Sequence, residues 1–335
     1  MVRIVDVAKK AKVSTATVSR VITNSGTVKK ETTEKVLKAI KELNYQPNLL
    51  ARQLRKLETK TILVIVPDIT NTFFSKVLRG IEAVASEKGY QILLGDTDNK
   101  DVKESGYLNM LRQKNADGMI LLTARIDHQL VDILAKDYPV VLACEYTAGS
   151  EIPTVSIDNI GSATRASQYL IDLGHRRIGF ISGPLNSVLS RDRLIGFQHA
   201  MLQNRGLIQS SYIEEGDFTY ESGFNKMLQL LALDKPPTAI FAANDEMAFG
   251  AIKAIKSKGY SVPEDFSVIG FDDIKFASIF EPPLTTIAQP AFDIGFNAME
   301  LLMKLINQEN IEKSLFILNE QLVIRDSCAP CRLEP

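Results

Sequence analysis

At 335 residues, 45% of them apolar, the chain is long enough for two or three domains with cores of their own. No apolar run reaches the roughly 18 residues of a membrane span, and none near the start has signal-peptide character. The formal net charge of -1 hides an uneven distribution: residues 1–60 carry 14 Lys and Arg against 5 Asp and Glu, and the rest 25 against 35. That is the pattern of a basic module joined to an acidic body, and a basic module of this size suits phosphate contacts. Three cysteines point to a reducing compartment and a cytoplasmic protein. Cys328 and Cys331 form a C-x-x-C without a second ligand pair, which reads as thiols with no metal or redox role.

In chain order, Val7, Ala8 and Ala11 repeat at helical spacing, as do Val18, Val21 and Ile22. Lys12-Val13-Ser14 between them allows only a tight turn, and Ser14 suits the N-cap of the second helix. Two short helices so joined form a helix-turn-helix, whose second member can enter a major groove. Its outward face would carry Thr15, Ala16, Thr17, Ser19 and Arg20. Arg pairs bidentately with guanine, and Ala and Thr methyls meet the thymine methyl. An ordinary helical hairpin with a polar face remains the alternative on these residues alone. A loop at Thr23–Val28 precedes a third helix through Val36, Ile40 and Leu43, which ends before Pro47. Residues 48–56 are about two turns of helix with too few apolar residues to hold alone. Such a segment folds on a surface, with Leu54 placed to wedge between base steps; a plain linker is the alternative.

From Thr61, buried strand-like runs alternate with amphipathic helices: Ile62–Val66, Ile92–Leu94, Met119–Leu122, Val140–Ala143, Val155–Ile157, Ile178–Ile181, Ala239–Ala242 and Val268–Phe271. About ten strands in βα order, too many for one open sheet, predict two doubly wound parallel sheets in two lobes split near residue 160. Ligands of such sheets bind beyond the carboxyl ends of the strands. There the chain places Glu145, Asp158, Asn244, Asp272 and Gln289, with Phe73, Phe74 and Phe218 in comparable turns. Each alone fits a helix cap or a core aromatic; together they suit a cleft for a hydroxylated or ring-bearing solute. The chain has no G-x-x-x-x-G-K-[ST], G-x-S-x-G or H-E-x-x-H motif, and His128, His175 and His199 are scattered, so no enzyme and no cofactor is expected. An exported solute-binding protein would share the two lobes.

Over nearly its whole length the sequence resembles the lactose-repressor family of bacterial transcription regulators. The likeness rests on Asp6-Val7-Ala8, Thr17-Val18-Ser19-Arg20-Val21, Leu43-Asn44-Tyr45-Gln46-Pro47-Asn48, Leu173-Gly174-His175-Arg176-Arg177-Ile178-Gly179-Phe180, Ala243-Asn244-Asp245 and Pro282-Pro283-Leu284-Thr285-Thr286-Ile287. Lys12 departs from the glycine usual in that turn. Within the family the likeness is strongest to the nucleoside-responsive branch, over Thr61–Ile69, Gly216–Thr219 and Thr285–Pro290. The resemblance implies a DNA-binding head at residues 1–46 and a hinge at 47–60. It implies a first lobe of 61–159 plus 290–318, and a second of 160–289 plus 319–335. It makes Thr15, Ala16, Thr17, Ser19, Arg20, Asn48, Ala51, Leu54 and Arg55 the DNA-binding positions. Phe73, Phe74, Glu145, Arg193, Phe218, Asn244, Asp272 and Gln289 become the effector positions. The implied partners are a double-stranded, near-palindromic operator, a second copy of the chain, and a small effector: a nucleoside such as cytidine, with a sugar or purine as the alternative.

Overall fold

The computed structural model describes residues 2–23, 25–45, 58–123, 128–147, 149–204 and 208–332. They fall into two compact units, divided between Thr59 and Lys60.

The first unit is three helices, α1 (Ile4–Ala11), α2 (Thr15–Thr23) and α3 (Lys30–Glu42). The apolar positions at helical spacing meet in one small core of Val7, Ala8, Ala11, Val18, Val36 and Ala39. Lys10 and Glu42 pair at 2.7 Å between α1 and α3. Ser14 caps α2 as its position suggests, its Oγ accepting from the Thr17 amide at 3.1 Å. Lys12 closes α1 in the left-handed region, φ 54° and ψ 45°, where a Cβ is unwelcome. The turn therefore carries strain of about 1 kcal/mol that a glycine would relieve. What holds it is a pair of backbone bonds, from Lys12 and Val13 back to the Lys9 and Ala8 carbonyls.

The second unit contains two six-stranded sheets. One comprises β1 (Thr61–Val66), β2 (Gln91–Asp96), β3 (Gly118–Leu121), β4 (Val140–Ala143), β5 (Thr154–Ile157) and β11 (Leu315–Leu318). Its order is β11-β5-β4-β3-β1-β2, parallel throughout. The other comprises β6 (Ile178–Ser182), β7 (Ile213–Glu215), β8 (Ala239–Ala242), β9 (Ser267–Asp272), β10 (Thr285–Ala288) and β12 (Gln321–Val323), in the order β12-β10-β9-β8-β6-β7. The connecting helices are α4 (Thr72–Glu87), α5 (Asp101–Arg112), α6 (His128–Asp137), α7 (Asn159–Asp172), α8 (Val188–Gln203), α9 (Tyr220–Leu231), α10 (Asp245–Ser257) and α11 (Ala291–Ile306). Strands β1, β3, β4 and β8 are buried almost end to end, which explains their unbroken apolar runs.

Two expectations need correction. The described residues hold twelve strands rather than about ten, the late ones being β11 and β12, edge strands with no fully buried residue. Nor is the second sheet wholly parallel, because β12 runs antiparallel to β10. The reason lies in the path of the chain. β11 ends at the carboxyl edge of the first sheet, and only Asn319 and Glu320 separate it from β12. The chain therefore enters the second sheet from its carboxyl edge, against the direction of the strands already there. It passes between the sheets three times, before α7, between β10 and α11, and at Asn319-Glu320.

Helices α4 and α11 pack at backbone distance on the first sheet. A Cβ at Gly80 would overlap the Phe292 carbonyl, and one at Gly295 the Val77 carbonyl. Neither obstacle is a flexible side chain, so the helices themselves would have to part. Gly295→Ala is expected to destabilise the body by about 1–3 kcal/mol, read as a lower urea midpoint at unchanged slope. An unaltered midpoint would show that this pair of helices is not closely packed in solution.

Candidate functional site

The carboxyl edges of the two sheets enclose a cavity of about 350 Å³. All eight effector positions named from the sequence line it: Phe73, Phe74, Glu145, Arg193, Phe218, Asn244, Asp272 and Gln289.

From the first sheet, the turn after β1 delivers the two aromatics. Asn71 caps α4 by accepting from the Phe73 amide at 3.0 Å, which starts the helix at the cavity wall. Phe73 is buried and Phe74 half-buried, and their rings meet edge to face with centroids 5.2 Å apart. After β4, Cys144 takes φ 70° and turns Glu145 inward. The buried Glu145 carboxylate accepts from Thr123 Oγ1 at 3.3 Å and from Ser187 Oγ at 2.9 Å. Ser187 belongs to the second lobe, so Glu145 spans the cleft.

From the second sheet come the charges. Arg193, on α8, is only 3% exposed, which rules out a surface role. Its guanidinium lies 3.7 Å from the centre of the Phe271 ring, donates from Nε to Asn159 Oδ1 at 3.0 Å, and from Nη1 to the Ala243 carbonyl at 2.5 Å. Asp272 sits 4.0 Å from Nη1 and accepts from Gln289 Nε2 at 2.7 Å. Burial pushes the Asp272 carboxyl up to about 6, against the opposing pull of Arg193 and the Gln289 bond. Burial likewise lowers Arg193 from its ordinary value.

Asp272 and Asp273 have φ of 115° and 52°, so this turn is strained for non-glycine residues. It is secured from behind by the fully buried Asp245. One Asp245 oxygen accepts from the Ile274 amide at 2.8 Å and the other from Thr286 Oγ1 at 2.6 Å. Phe218 is also left-handed, φ 71°, in a turn where Asp217 Oδ1 accepts from the Thr219 amide at 2.9 Å and its hydroxyl at 2.6 Å. A Cβ at Gly183, the residue after β6, would overlap the Phe218 ring, so only glycine fits there. Asn244 is both wall and cap: Oδ1 accepts from the Met247 amide at 2.9 Å, and Nδ2 donates to the Phe218 carbonyl at 2.9 Å.

Asp158 does not reach the cavity. It caps α7, accepting from the Gly161 amide at 2.9 Å, because an Asp one residue before a helix has free amides closer than any solute. Conversely, Thr123, Tyr220, Glu221 and Glu246, with Asp68 of the turn after β1, line the cavity without standing out in the sequence as ligand positions. They sit in turns or first helical residues, where no periodicity marks them; the signal that existed was the Asp-x-Thr pattern shared by Asp68–Thr70 and Asp217–Thr219.

In the helical head, Thr15, Ala16 and Arg20 are exposed, while Thr17 and Ser19 are half-buried. The Thr17 hydroxyl is within 2.9 Å of Ser14 Oγ, so it is partly committed to the turn. Asn48, Ala51, Leu54 and Arg55 lie outside the described residues. The C-terminal thiols are free; Cys328 Sγ donates to the Val268 carbonyl at 3.2 Å. No group of three potential metal ligands occurs among the described residues, and no helix there is long and apolar enough to cross a membrane.

A two-lobed body with a cleft at the strand ends, in one chain with a helix-turn-helix, defines a class: DNA-binding regulators that take a small ligand. Family comparison agrees. Residues 3–48 match the model of bacterial regulatory proteins of the lacI family, and residues 167–328 that of the periplasmic binding protein-like domain. The chain is 42% identical to the HTH-type transcriptional repressor CytR of Escherichia coli (strain K12) over 323 residues, 96% of this chain and 95% of that one. It is 40% identical to catabolite control protein A of Priestia megaterium, covering 97% and 99% of the two chains. The lac repressor dimer bound to operator and the anti-inducer ONPF superimposes with a TM-score of 0.89 at 31% identity, over 98% of this chain and 99% of that one. The chain belongs to the LacI family of bacterial transcription regulators.

The raised Asp272 value has a direct consequence for the ligand-free protein. The group takes up a proton on folding, so its stabilising contribution is present below pH 3.8 and is lost as pH rises through about 6. Asp272→Asn removes this dependence whatever its absolute stability. Between pH 4 and 7.5 the stability difference between variant and parent should move by roughly 2 kcal/mol in favour of the variant. A constant difference across that range would mean that Asp272 titrates as an ordinary carboxylate.

Proposed function

We propose that this regulator is a homodimeric repressor whose cleft binds a nucleoside such as cytidine, and that occupancy of the cleft sets its affinity for a near-palindromic operator. The observation that carries the ligand reading is the loose Arg193–Asp272 pair beside three aromatic rings. A separation of 4.0 Å is too long for a direct hydrogen bond. A ribose hydroxyl placed at that pair accepts from the guanidinium and donates to the carboxylate, completing what the two side chains leave open. Phe73, Phe74 and Phe218 offer flat apolar faces for a base. The 42% identity to a repressor named CytR supports the same choice.

On the DNA side, Thr15, Ala16, Thr17, Ser19 and Arg20 contact base edges, with Arg20 the best candidate for a guanine. The segment with Asn48, Ala51, Leu54 and Arg55 forms the hinge, its leucine opening the central base step. A ligand that changes the angle between the lobes alters how far apart the two hinges of a dimer lie. A coupling of about 1–3 kcal/mol then changes operator affinity roughly 5–150-fold.

Relatives also include CcpA, a PurR at 40% identity, and a solved CelR–cellobiose complex, so the ligand test must include purines and sugars. Thermal unfolding of the full chain with cytidine, hypoxanthine and cellobiose, each at 1 mM (roughly 1,000 Kd for a micromolar ligand), provides it. Cytidine should raise the midpoint by several degrees and exceed both competitors. A larger shift with hypoxanthine or cellobiose would replace the nucleoside reading with a purine or sugar one.

A further inference from the structure

Six carboxylates line the cavity, Asp68, Glu145, Asp217, Glu221, Glu246 and Asp272, and among the described lining residues Arg193 is the only cation. That cation is already engaged. Two of its nitrogens donate to Asn159 and Ala243, its face rests on Phe271, and Asp272 is its nearest carboxylate. The carboxylates, in contrast, are only partly balanced. Asp68 and Asp217 each use one oxygen on a threonine of their own turn, and those bonds bring no positive charge. Glu246 is half-buried at the start of α10, and it lines the cavity with Glu221 of its own lobe and Asp68 of the other. Its carboxyl is raised first by burial and then by those two charges, so like charges from both lobes act on it. Lys76 lies nearby, but its ammonium donates outside the cavity, to the Asp273 carbonyl at 2.9 Å.

We infer that the cleft takes an uncharged ligand rich in hydroxyl or amino donors and rejects its phosphorylated form, with Glu246, Glu221 and Asp68 as the discriminating residues. The inference rests on the cleft being the effector site, as proposed above, but not on the ligand being a nucleoside. A phosphate brought between these carboxylates meets like charges from both lobes in a partly desolvated space, where repulsion is stronger than in water. Donor groups meet the same oxygens as acceptors. The cleft of this regulator thus reports a free nucleoside or sugar, upstream of the kinase-type reaction that would add the phosphate.

The test uses three matched pairs on the full chain: cytidine and CMP, adenosine and AMP, ribose and ribose 5-phosphate. Affinities are measured by titration calorimetry at pH 7.5 and fixed salt, for the parent chain, Glu246→Gln and Asp68→Asn. In any pair that binds, the phosphorylated member should be at least 30-fold weaker, and either variant should narrow the gap at least 3-fold. Equal or tighter binding of a phosphorylated member overturns the inference, as does a gap unmoved by both variants. Ribose binding without cytidine or adenosine leaves it standing and removes only the nucleoside reading. Failure of all six compounds to bind, the uncharged members included, overturns the inference together with the nucleoside reading.

Discussion

The arrangement of the body depends on one buried guanidinium. Removing a charge from water is costly unless partners take its place, and at 3% exposure Arg193 has almost no water. Its partners come from three segments of the chain: Asn159 at the start of α7, Ala243 just after β8, and Phe271 and Asp272 at the end of β9. These segments must therefore converge at one point. That point is the carboxyl edge of the second sheet, where a solute in the cleft would touch it. The strained turn that presents Asp272 is tolerated because Asp245, Arg325 and Gln289 grip it from three sides.

The same place is where the lobes communicate. Glu145 reaches from the first lobe to Ser187 of the second, and Lys76 reaches from α4 to the carbonyl of Asp273. Three strands of chain join the lobes, and β12 runs against β10 because the last of them enters the second sheet from its carboxyl edge. A ligand that bridges Arg193, Asp272 and the aromatics of the first lobe adds to these contacts and so favours one angle between the lobes. It needs no contact with DNA to do so. A difference of contacts between two arrangements is enough to shift their populations.

Much of this was legible in the residues, for reasons that differ by element. The buried strands β1, β3, β4 and β8 read clearly because both their faces are covered, and the head because its six core residues keep helical spacing. The cleft residues were legible as a class, since sheet topology fixes where strand ends meet. What escaped were groups whose role depends on contacts far away in sequence. Glu246 and Asp68 line one cavity only because two lobes fold toward one another, and nothing local to either residue signals it. Asp158 failed in the opposite way, because a local cap claimed it. β12 escaped because three residues at a sheet edge carry no periodicity, and its direction follows from the route of the chain.

The central claim is that the cleft and the DNA-binding head share one free energy. Linkage requires such coupling to be reciprocal, so the most direct measurement is the affinity of the full chain for cytidine with and without a saturating near-palindromic duplex selected by the chain itself. The account predicts that the duplex changes the cytidine affinity by the same factor, roughly 5–150-fold, by which cytidine changes the duplex affinity. A cytidine affinity identical in the two states would contradict it.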